Sequence, residues 1–215
     1  MERRAWTGLH VIADAGARPS RTAAEIAAAA LAGGANIIQV RMKGGAARAL
    51  YDAASSVAQV VREHPAARLV VNDRVDIAIA VGANAVHLGQ DDLSPADAGR
   101  VIAQSDGRLA WGLSTHDLAE ARRAEENGAA YIGFGPVFST GSKTDALSPR
   151  GLDRLAEVCR AVSIPVIAIG GIDLAGAKGA ASAGAAGVAV ISAVAKAANM
   201  TGATRSLVAL FESNR

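Results

Sequence analysis

The sequence is poor in cysteine and in aromatic residues, and it has no long hydrophobic run. Cys159 is the only cysteine, which excludes an internal disulfide and is typical of proteins of the reducing cytoplasm. Aromatic residues make up 3% of the 215 positions, so stacking platforms for single-stranded nucleic acid are scarce. No apolar run approaches the ~18 residues of a membrane span, and the N-terminus lacks a signal-peptide pattern. We therefore expect a cytoplasmic protein with no nucleic-acid partner and no membrane contact.

Two common enzyme patterns are also missing. No GxGxxG motif follows the first apolar run, which argues against a dinucleotide-binding Rossmann fold. No Ser–His–Asp or Cys–His arrangement is evident, so we expect no covalent enzyme intermediate. The net charge is only +2 and the basic residues are scattered, which is a further argument against a nucleic-acid partner.

Eight apolar runs alternate with segments of helical periodicity along the chain. The runs are 9–13, 37–42, 69–71, 85–88, 109–113, 131–134, 165–169 and 188–191. The helical segments are 23–32, 47–63, 75–81, 95–103, 118–127, 151–162, 174–183 and 201–213. Such alternation indicates parallel βαβ units. Eight units predict one α/β domain over residues 1–215, a compact (β/α)₈ or TIM barrel, with its active site at the carboxyl ends of the strands.

Acidic residues follow two neighbouring predicted strands in the stretch 71–93. Asp73 comes after the third run and Asp92 after the fourth. Parallel strands joined by right-handed crossovers end on the same side of the sheet. We therefore expect both carboxylates on one rim, where they form a candidate Mg²⁺ site. The alternative for Asp92 is a cap of the helix that begins after Ser94.

Three long polar side chains alternate along the second run. Strand periodicity places Gln39, Arg41 and Lys43 on one face, which we predict to face the barrel interior. Polar groups in that position are costly without partners, so an anionic ligand is the partner that we expect. The alternative is a solvated rim, with Lys43 at the start of a loop.

The fifth run ends in a polar segment with two possible uses. Either Ser114 or Thr115 caps the following helix, or Ser114 binds a phosphate oxygen. His116 is a candidate acid or base near neutral pH, although a single histidine at a strand end is more often structural.

The long loop after the sixth run contains Thr140, Ser142 and Lys143. Hydroxyl groups and a cation in a glycine-containing segment favour contact with a phosphate, and such a loop can close over a substrate. The alternative is an ordinary surface loop.

A second phosphate position is predicted after the seventh and eighth runs. Gly171 permits close backbone approach, and Ile191 and Ser192 follow the eighth run. In barrels of this kind these loops often bind a phosphate through backbone N–H groups. A diphosphate with Mg²⁺ and a separate monophosphate suggest displacement of diphosphate by a phosphorylated nucleophile. Catalysis would then rest on positioning and on stabilisation of the departing diphosphate.

At these positions the sequence resembles the thiamine phosphate synthase (thiamine phosphate pyrophosphorylase) family. The matching segments are IIQVRMKG, VNDRVDIAIAVGANAVHLGQDDL, GLSTH, YIGFGPVFSTGSKTDA, PVIAIGGI and GVAVISAV, in family order across residues 9–194. The resemblance implies a transferase that joins 4-amino-2-methyl-5-pyrimidinylmethyl diphosphate to thiazole (carboxylate) phosphate. The products are thiamine phosphate and diphosphate. The family reaction is thought to be dissociative, with Mg²⁺ assisting departure of diphosphate before the thiazole nitrogen traps the cation.

The resemblance also implies a role for each residue of the rim. The pyrimidine diphosphate would be contacted by Gln39, Arg41, Lys43, Asn72, Ser114 and Lys143. The thiazole phosphate would be contacted by Thr140, Ser142, Gly171, Ile191 and Ser192. Asp73 and Asp92 would bind Mg²⁺, and the expected catalytic residues are Arg41, Lys43, Ser114 and Lys143. Met42 replaces the acidic residue that is usual in the family, and we expect it to point away from Arg41 and Lys43.

Two other functions fit parts of the pattern. A thiazole tautomerase of the same superfamily would use His116 as its base, but it has little use for a diphosphate site. A non-catalytic binder of thiamine intermediates would need neither the metal acids nor the diphosphate contacts. The presence of Asp73, Asp92, Arg41 and Lys43 therefore favours the synthase. Small-molecule substrates follow from that reading, and a homodimer is common in the family.

Overall fold

The computed structural model describes residues 3–14, 21–104, 108–141 and 148–212. Eight parallel strands close into a barrel in the order of the chain. They are β1 Gly8–Asp14, β2 Ile37–Arg41, β3 Arg68–Asn72, β4 Ala85–Leu88, β5 Ala110–Thr115, β6 Tyr131–Phe134, β7 Val166–Ile169 and β8 Gly187–Val190. The predicted (β/α)₈ barrel is therefore confirmed, and every predicted apolar run contains or overlaps a strand.

Helices follow the strands on the outside of the barrel. They are α1 Ala23–Ala32, α2 Ala47–Arg62, α3 Val75–Ala80, α4 Pro95–Gln104, α5 Leu118–Glu126, α6 Gly151–Ala161, α7 Leu174–Ser182, α8 Ser192–Ala195 and α9 Met200–Glu212. The short helix α8 and a 3₁₀ helix at Arg3–Trp6 were not predicted, because four residues are too few to show a helical period. None of the helices in the described ranges combines the length and the apolarity that a membrane span needs.

The main hydrophobic core lies between the strands and the helices. Alternate strand residues such as Val40, Val71 and Val86 point outward and are fully buried. They meet the inner faces of the helices, where small residues such as Ala27 and Ala30 let helix α1 approach the barrel closely. Met42 packs against this outer core, away from the barrel interior, as expected.

A second, smaller core fills the amino-terminal half of the barrel interior. Trp6 closes the bottom and stacks on Tyr131, with ring centroids 5.3 Å apart. A Cβ atom at Gly112 would lie only 2.3 Å from Cζ of Tyr131, so this glycine makes room for the ring. Apolar side chains such as Ile37 and Val70 complete the layer. Among the described residues, these side chains fill the amino-terminal half of the interior, and the pocket lies toward its carboxyl end.

Candidate active site

Inward-facing side chains form a polar pocket at the carboxyl ends of the strands. Its polar lining consists of His10, Gln39, Arg41, Asn72, His87, Ser114 and Tyr131, and its apolar lining includes Ile12, Ile167, Ile169 and Ala189. Polar side chains are thus concentrated at the open end of a barrel whose other end is filled by apolar ones. Four of the predicted site residues, Gln39, Arg41, Asn72 and Ser114, lie together in this pocket.

Arg41 is held by an acidic residue that sequence reasoning missed. The register of β1 against β2 places Asp14 directly beside Arg41. The two side chains form an ion pair, and both residues are buried. Asp14 follows the first apolar run, just as Asp73 and Asp92 follow the third and fourth. An acidic residue after a predicted strand is the signal that could have identified it. The pair keeps the Arg41 guanidinium at the pocket wall.

Lys43 does not face the barrel interior, which corrects the expectation from strand periodicity. Strand β2 ends at Arg41, and the Lys43 side chain is 58% exposed at the rim. Its Nζ atom lies 2.7 Å from Oδ2 of Asp73, so the cation stands directly beside a proposed metal ligand. Asp73 itself has φ = 66° and donates its backbone N–H to the carbonyl of His87 at 2.8 Å.

The two predicted metal ligands, Asp73 and Asp92, lie in contact. Burial, followed by a hydrogen bond with Asp73, raises the pKa of the Asp92 carboxyl. Asp92 also accepts the backbone N–H of Gly89 at 2.6 Å. It does not cap helix α4, because the Ser94 hydroxyl accepts the N–H of Asp97 there.

This acidic pair suits Mg²⁺ better than a metal that needs several protein ligands. Within the described part of the chain, no group of three or more His, Cys, Asp or Glu side chains could hold a metal ion. Mg²⁺ is usually bound through one or two carboxylates, with water and substrate phosphates completing its shell. Two adjacent carboxylates therefore fit an ion that arrives with a diphosphate.

Ser114 is available for a ligand because another residue caps helix α5. The side chain of Asp117 accepts the N–H of Glu120 at 2.8 Å, so the expectation that Ser114 or Thr115 caps this helix is wrong. Thr115 donates its hydroxyl to the Gly133 carbonyl. The Ser114 hydroxyl lies 3.0 Å from Nε2 of His87 at the pocket wall.

Three ring side chains in the pocket were missed by sequence reasoning. His10, His87 and Tyr131 lie within apolar runs at positions that alternate toward the interior, which is the signal that could have identified them. Nδ1 of His87 lies 3.1 Å from Oη of Tyr131. Burial lowers the pKa of His10 to about 4, so that ring is neutral at physiological pH. Its Nε2 atom lies 3.0 Å from the Trp6 carbonyl oxygen.

His116 lies at the edge of the site rather than in the pocket. Its Nδ1 atom is 3.1 Å from Oε2 of Glu120, and the same carboxylate accepts the His116 backbone N–H at 2.7 Å. This arrangement secures the first turn of helix α5, which is the structural role that the sequence left open.

The predicted monophosphate position lies on the opposite side of the rim. Ile169 on β7 pairs with Ala189 on β8. Gly171 and Ile191 each follow two residues after this pair, so both lie beyond the carboxyl ends of their strands. Ile191 and Ser192 begin helix α8. Thr140 is half-buried in the loop after β6, whereas Ser142 and Lys143 lie outside the described residues.

The loop after β6 packs closely against Gly170 and Gly171, which follow β7. Gly170 has φ = 97° and accepts the N–H of Phe138 at 3.0 Å. Gly171 has φ = 65°, and a Cβ atom there would lie 2.4 Å from the Ser139 carbonyl oxygen. The loop that carries Thr140 can therefore pack across the end of β7 only because these positions lack side chains.

An eight-stranded barrel with a polar pocket, an acidic pair and cations at its carboxyl rim is typical of enzymes that act on phosphorylated small molecules. The family model described as thiamine monophosphate synthase matches residues 9–194. The chain belongs to this family, as the sequence resemblance predicted.

Relatives over nearly the whole chain support the assignment. The thiamine-phosphate synthase of Chloroflexus aurantiacus is 44% identical over 202 residues, covering 94% of this chain and 91% of that protein. The thiamine-phosphate synthase of Methanocella arvoryzae is 44% identical over 210 residues, covering 96% of each. The solved structure of thiamine phosphate pyrophosphorylase from Pyrococcus furiosus is similar with a TM-score of 0.87 and 36% identity, covering 99% of this chain and 98% of that one.

Proposed function

We propose that the protein is a thiamine phosphate synthase, a transferase that couples 4-amino-2-methyl-5-pyrimidinylmethyl diphosphate to thiazole (carboxylate) phosphate. The observation that carries the proposal is the contact between Asp73 and Asp92, with Lys43 beside them at the same rim. A site for Mg²⁺ and diphosphate is what the coupling reaction needs. Membership of the family and the names of the relatives support the same activity.

The pyrimidine diphosphate is proposed to bind between the pocket and the acidic pair. Asp73 and Asp92 would hold Mg²⁺, which when bound would neutralise charge on the departing diphosphate. Arg41 and Lys43 add positive charge on the same side, and Ser114 adds a hydroxyl. Gln39 and Asn72 complete the pocket wall, and Lys143 is proposed to join them from the loop after β6.

The planar pyrimidine is proposed to enter the inner pocket, between polar and apolar walls. His87, Tyr131, Ile167 and Ile169 are among the residues that line this pocket. The pocket would exclude water from the cation that forms when diphosphate leaves, and it would align that cation with its nucleophile.

The thiazole phosphate is proposed to bind at the opposite side of the rim. Its contacts would be Thr140, Ser142, Gly171, Ile191 and Ser192, largely through backbone N–H groups and hydroxyls. This arrangement would place the thiazole nitrogen over the mouth of the pocket. The proposal extends to a single domain over residues 1–215 that works in the cytoplasm as a homodimer.

The direct test is formation of thiamine phosphate by the purified protein from the two substrates. We expect product with Mg²⁺, loss of product with EDTA, and at least a 100-fold lower kcat for Asp92→Asn, because that substitution removes one metal ligand. The Asp52→Asn variant is a matched control, since Asp52 is exposed on helix α2, where it pairs with Arg48. Product formation that is unaffected by EDTA would contradict the proposed role of the metal.

A further inference from the structure

A chain of hydrogen bonds crosses the barrel interior and ends at Ser114. Gln39 on β2 bonds to the phenol of Tyr131 on β6. Oη of Tyr131 lies 3.1 Å from Nδ1 of His87 on β4, and Nε2 of His87 lies 3.0 Å from Oγ of Ser114 on β5. Four strands thus contribute one side chain each. We call these four residues, Gln39, Tyr131, His87 and Ser114, the relay.

The direction of each hydrogen bond in the relay follows from the chemistry of Tyr131. Burial raises the pKa of its phenol, so the group is protonated and has one O–H to donate. The Gln39 side-chain amide can donate an N–H to the phenol oxygen, and the hydrogen bond with Gln39 lowers the same pKa. With Gln39 as the donor, the phenol O–H is left for Nδ1 of His87, which is the other partner of this phenol among the residues that the structure describes.

An accepting Nδ1 fixes the rest of the relay. A neutral imidazole that accepts at Nδ1 carries its proton on Nε2. That N–H then donates to the Ser114 oxygen, and the serine must give its own proton to another group. Ser114 lines the pocket, so its O–H points to whatever acceptor the pocket contains.

We infer that His87 and Tyr131 are positioning residues that orient the Ser114 hydroxyl as a donor to the substrate's diphosphate. The inference rests on the proposed function for the identity of that acceptor. Without the relay, Ser114 could instead donate to Nε2 of His87 and would then present only lone pairs to an anion. The relay removes this alternative before the substrate binds, so no reorganisation is needed during the reaction.

Packing holds the relay in one geometry. The rings of His87 and Tyr131 stack with centroids 5.5 Å apart and an angle of 27° between their planes. A Cβ atom at Gly133 would lie 3.3 Å from Cε1 of His87, so the imidazole lies tightly against the backbone of β6. A ring with so little room keeps both of its nitrogen atoms on their partners.

The first test reads the tautomer of His87 in the enzyme without substrates. Long-range ¹H–¹⁵N correlation spectra of histidine-labelled protein should show the Nε2–H form in the wild type and a mixture of both forms in Tyr131→Phe. Tyr51→Phe is the matched control, because Tyr51 is the other tyrosine of the chain and is exposed on helix α2, and it should leave the His87 signals unchanged. A wild-type His87 in the Nδ1–H form overturns the inference.

The second test asks whether His87 and Tyr131 act through Ser114. Tyr131→Phe should lower kcat about 10- to 100-fold, the size of effect seen when the partner that orients a functional side chain is lost. The same substitution should add little to Ser114→Ala, whereas multiplicative losses would mean that Tyr131 only supports packing. His87→Gln can still donate from the Nε2 position and should retain more activity than His87→Asn. The spectra report the tautomer of His87 even if no thiamine phosphate forms. Failure of the proposed function can therefore be distinguished from failure of this inference.

Discussion

Asp73 combines a strained backbone with a proposed ligand role. Its φ of 66° lies in the left-handed region, which asparagine and aspartate tolerate better than other residues with a Cβ atom. This backbone turns the carboxylate toward Lys43 and Asp92 at the rim. Strained residues of this kind persist at functional sites when the surrounding structure fixes them, as the hydrogen bond from Asp73 to His87 does here.

Two substitutions of Asp73 separate its backbone role from its charge. Asp73→Asn should keep the fold and lose metal-dependent activity, since asparagine accepts the same φ. Asp73→Ala should lose the activity as well and be less stable than the asparagine variant by about 1 kcal/mol. Urea unfolding without metal compares the two variants, and equal stability would show that the positive φ imposes no cost on alanine.

The raised pKa of Asp92 predicts how stability depends on pH. The pKa of Asp92 is raised by burial and then by Asp73, so the folded protein holds a proton that the unfolded chain releases. Metal-free stability should therefore fall as the pH rises from the ordinary aspartate pKa through the raised one. Asp92→Asn should lack this decline. Unfolding midpoints across that pH range measure the difference between the two proteins, and parallel curves would contradict it.

Mg²⁺ competes with the same proton. Its affinity should weaken as the pH falls through the raised pKa, because the carboxylate must be deprotonated to bind the metal. The deprotonated Asp92 carboxylate therefore lowers the stability of the metal-free protein near neutral pH, and the same carboxylate is ready to bind Mg²⁺.

At the scale of elements, most of the barrel could be predicted from the sequence. Strands β4 and β6 and helix α1 have the predicted bounds, because each apolar segment there is flanked by glycine or polar residues. Helix α8 and the 3₁₀ helix could not be found, since short elements form through tertiary contacts rather than periodicity. The interior polar residues were missed for a related reason. His87 and Tyr131 read as parts of apolar runs, and only the closed barrel places them together.

Substitution of two glycines by alanine tests how tightly the barrel interior is packed. Gly112→Ala should destabilise the protein by roughly 1–3 kcal/mol, because the new methyl group would overlap the ring of Tyr131. Gly99→Ala is the matched control, since nothing lies within 4 Å of a Cβ atom there and the residue is inside helix α4. It should stabilise the protein by about 0.5–1 kcal/mol. Chemical denaturation of both variants measures the contrast, and a neutral Gly112→Ala would contradict the packing described.

At the scale of the whole molecule, the barrel brings distant segments of the chain to one rim. The acidic pair follows β3 and β4, and the proposed monophosphate site follows β7 and β8. The pocket lies between them at the carboxyl end of the barrel. Chain order around a closed barrel thus places the two proposed anion sites on opposite sides of one opening, which is the arrangement that joining two phosphorylated molecules would require.

The most direct measurement follows the thiazole substrate by NMR, first alone and then with pyrimidine diphosphate and Mg²⁺. We predict that the thiazole tautomer is unchanged when it is alone with the enzyme. On addition of the second substrate, thiamine phosphate and diphosphate should appear in equal amounts. Loss of the tautomer before that addition, unaffected by EDTA and without later coupling, would contradict the synthase and indicate an isomerase that uses His116.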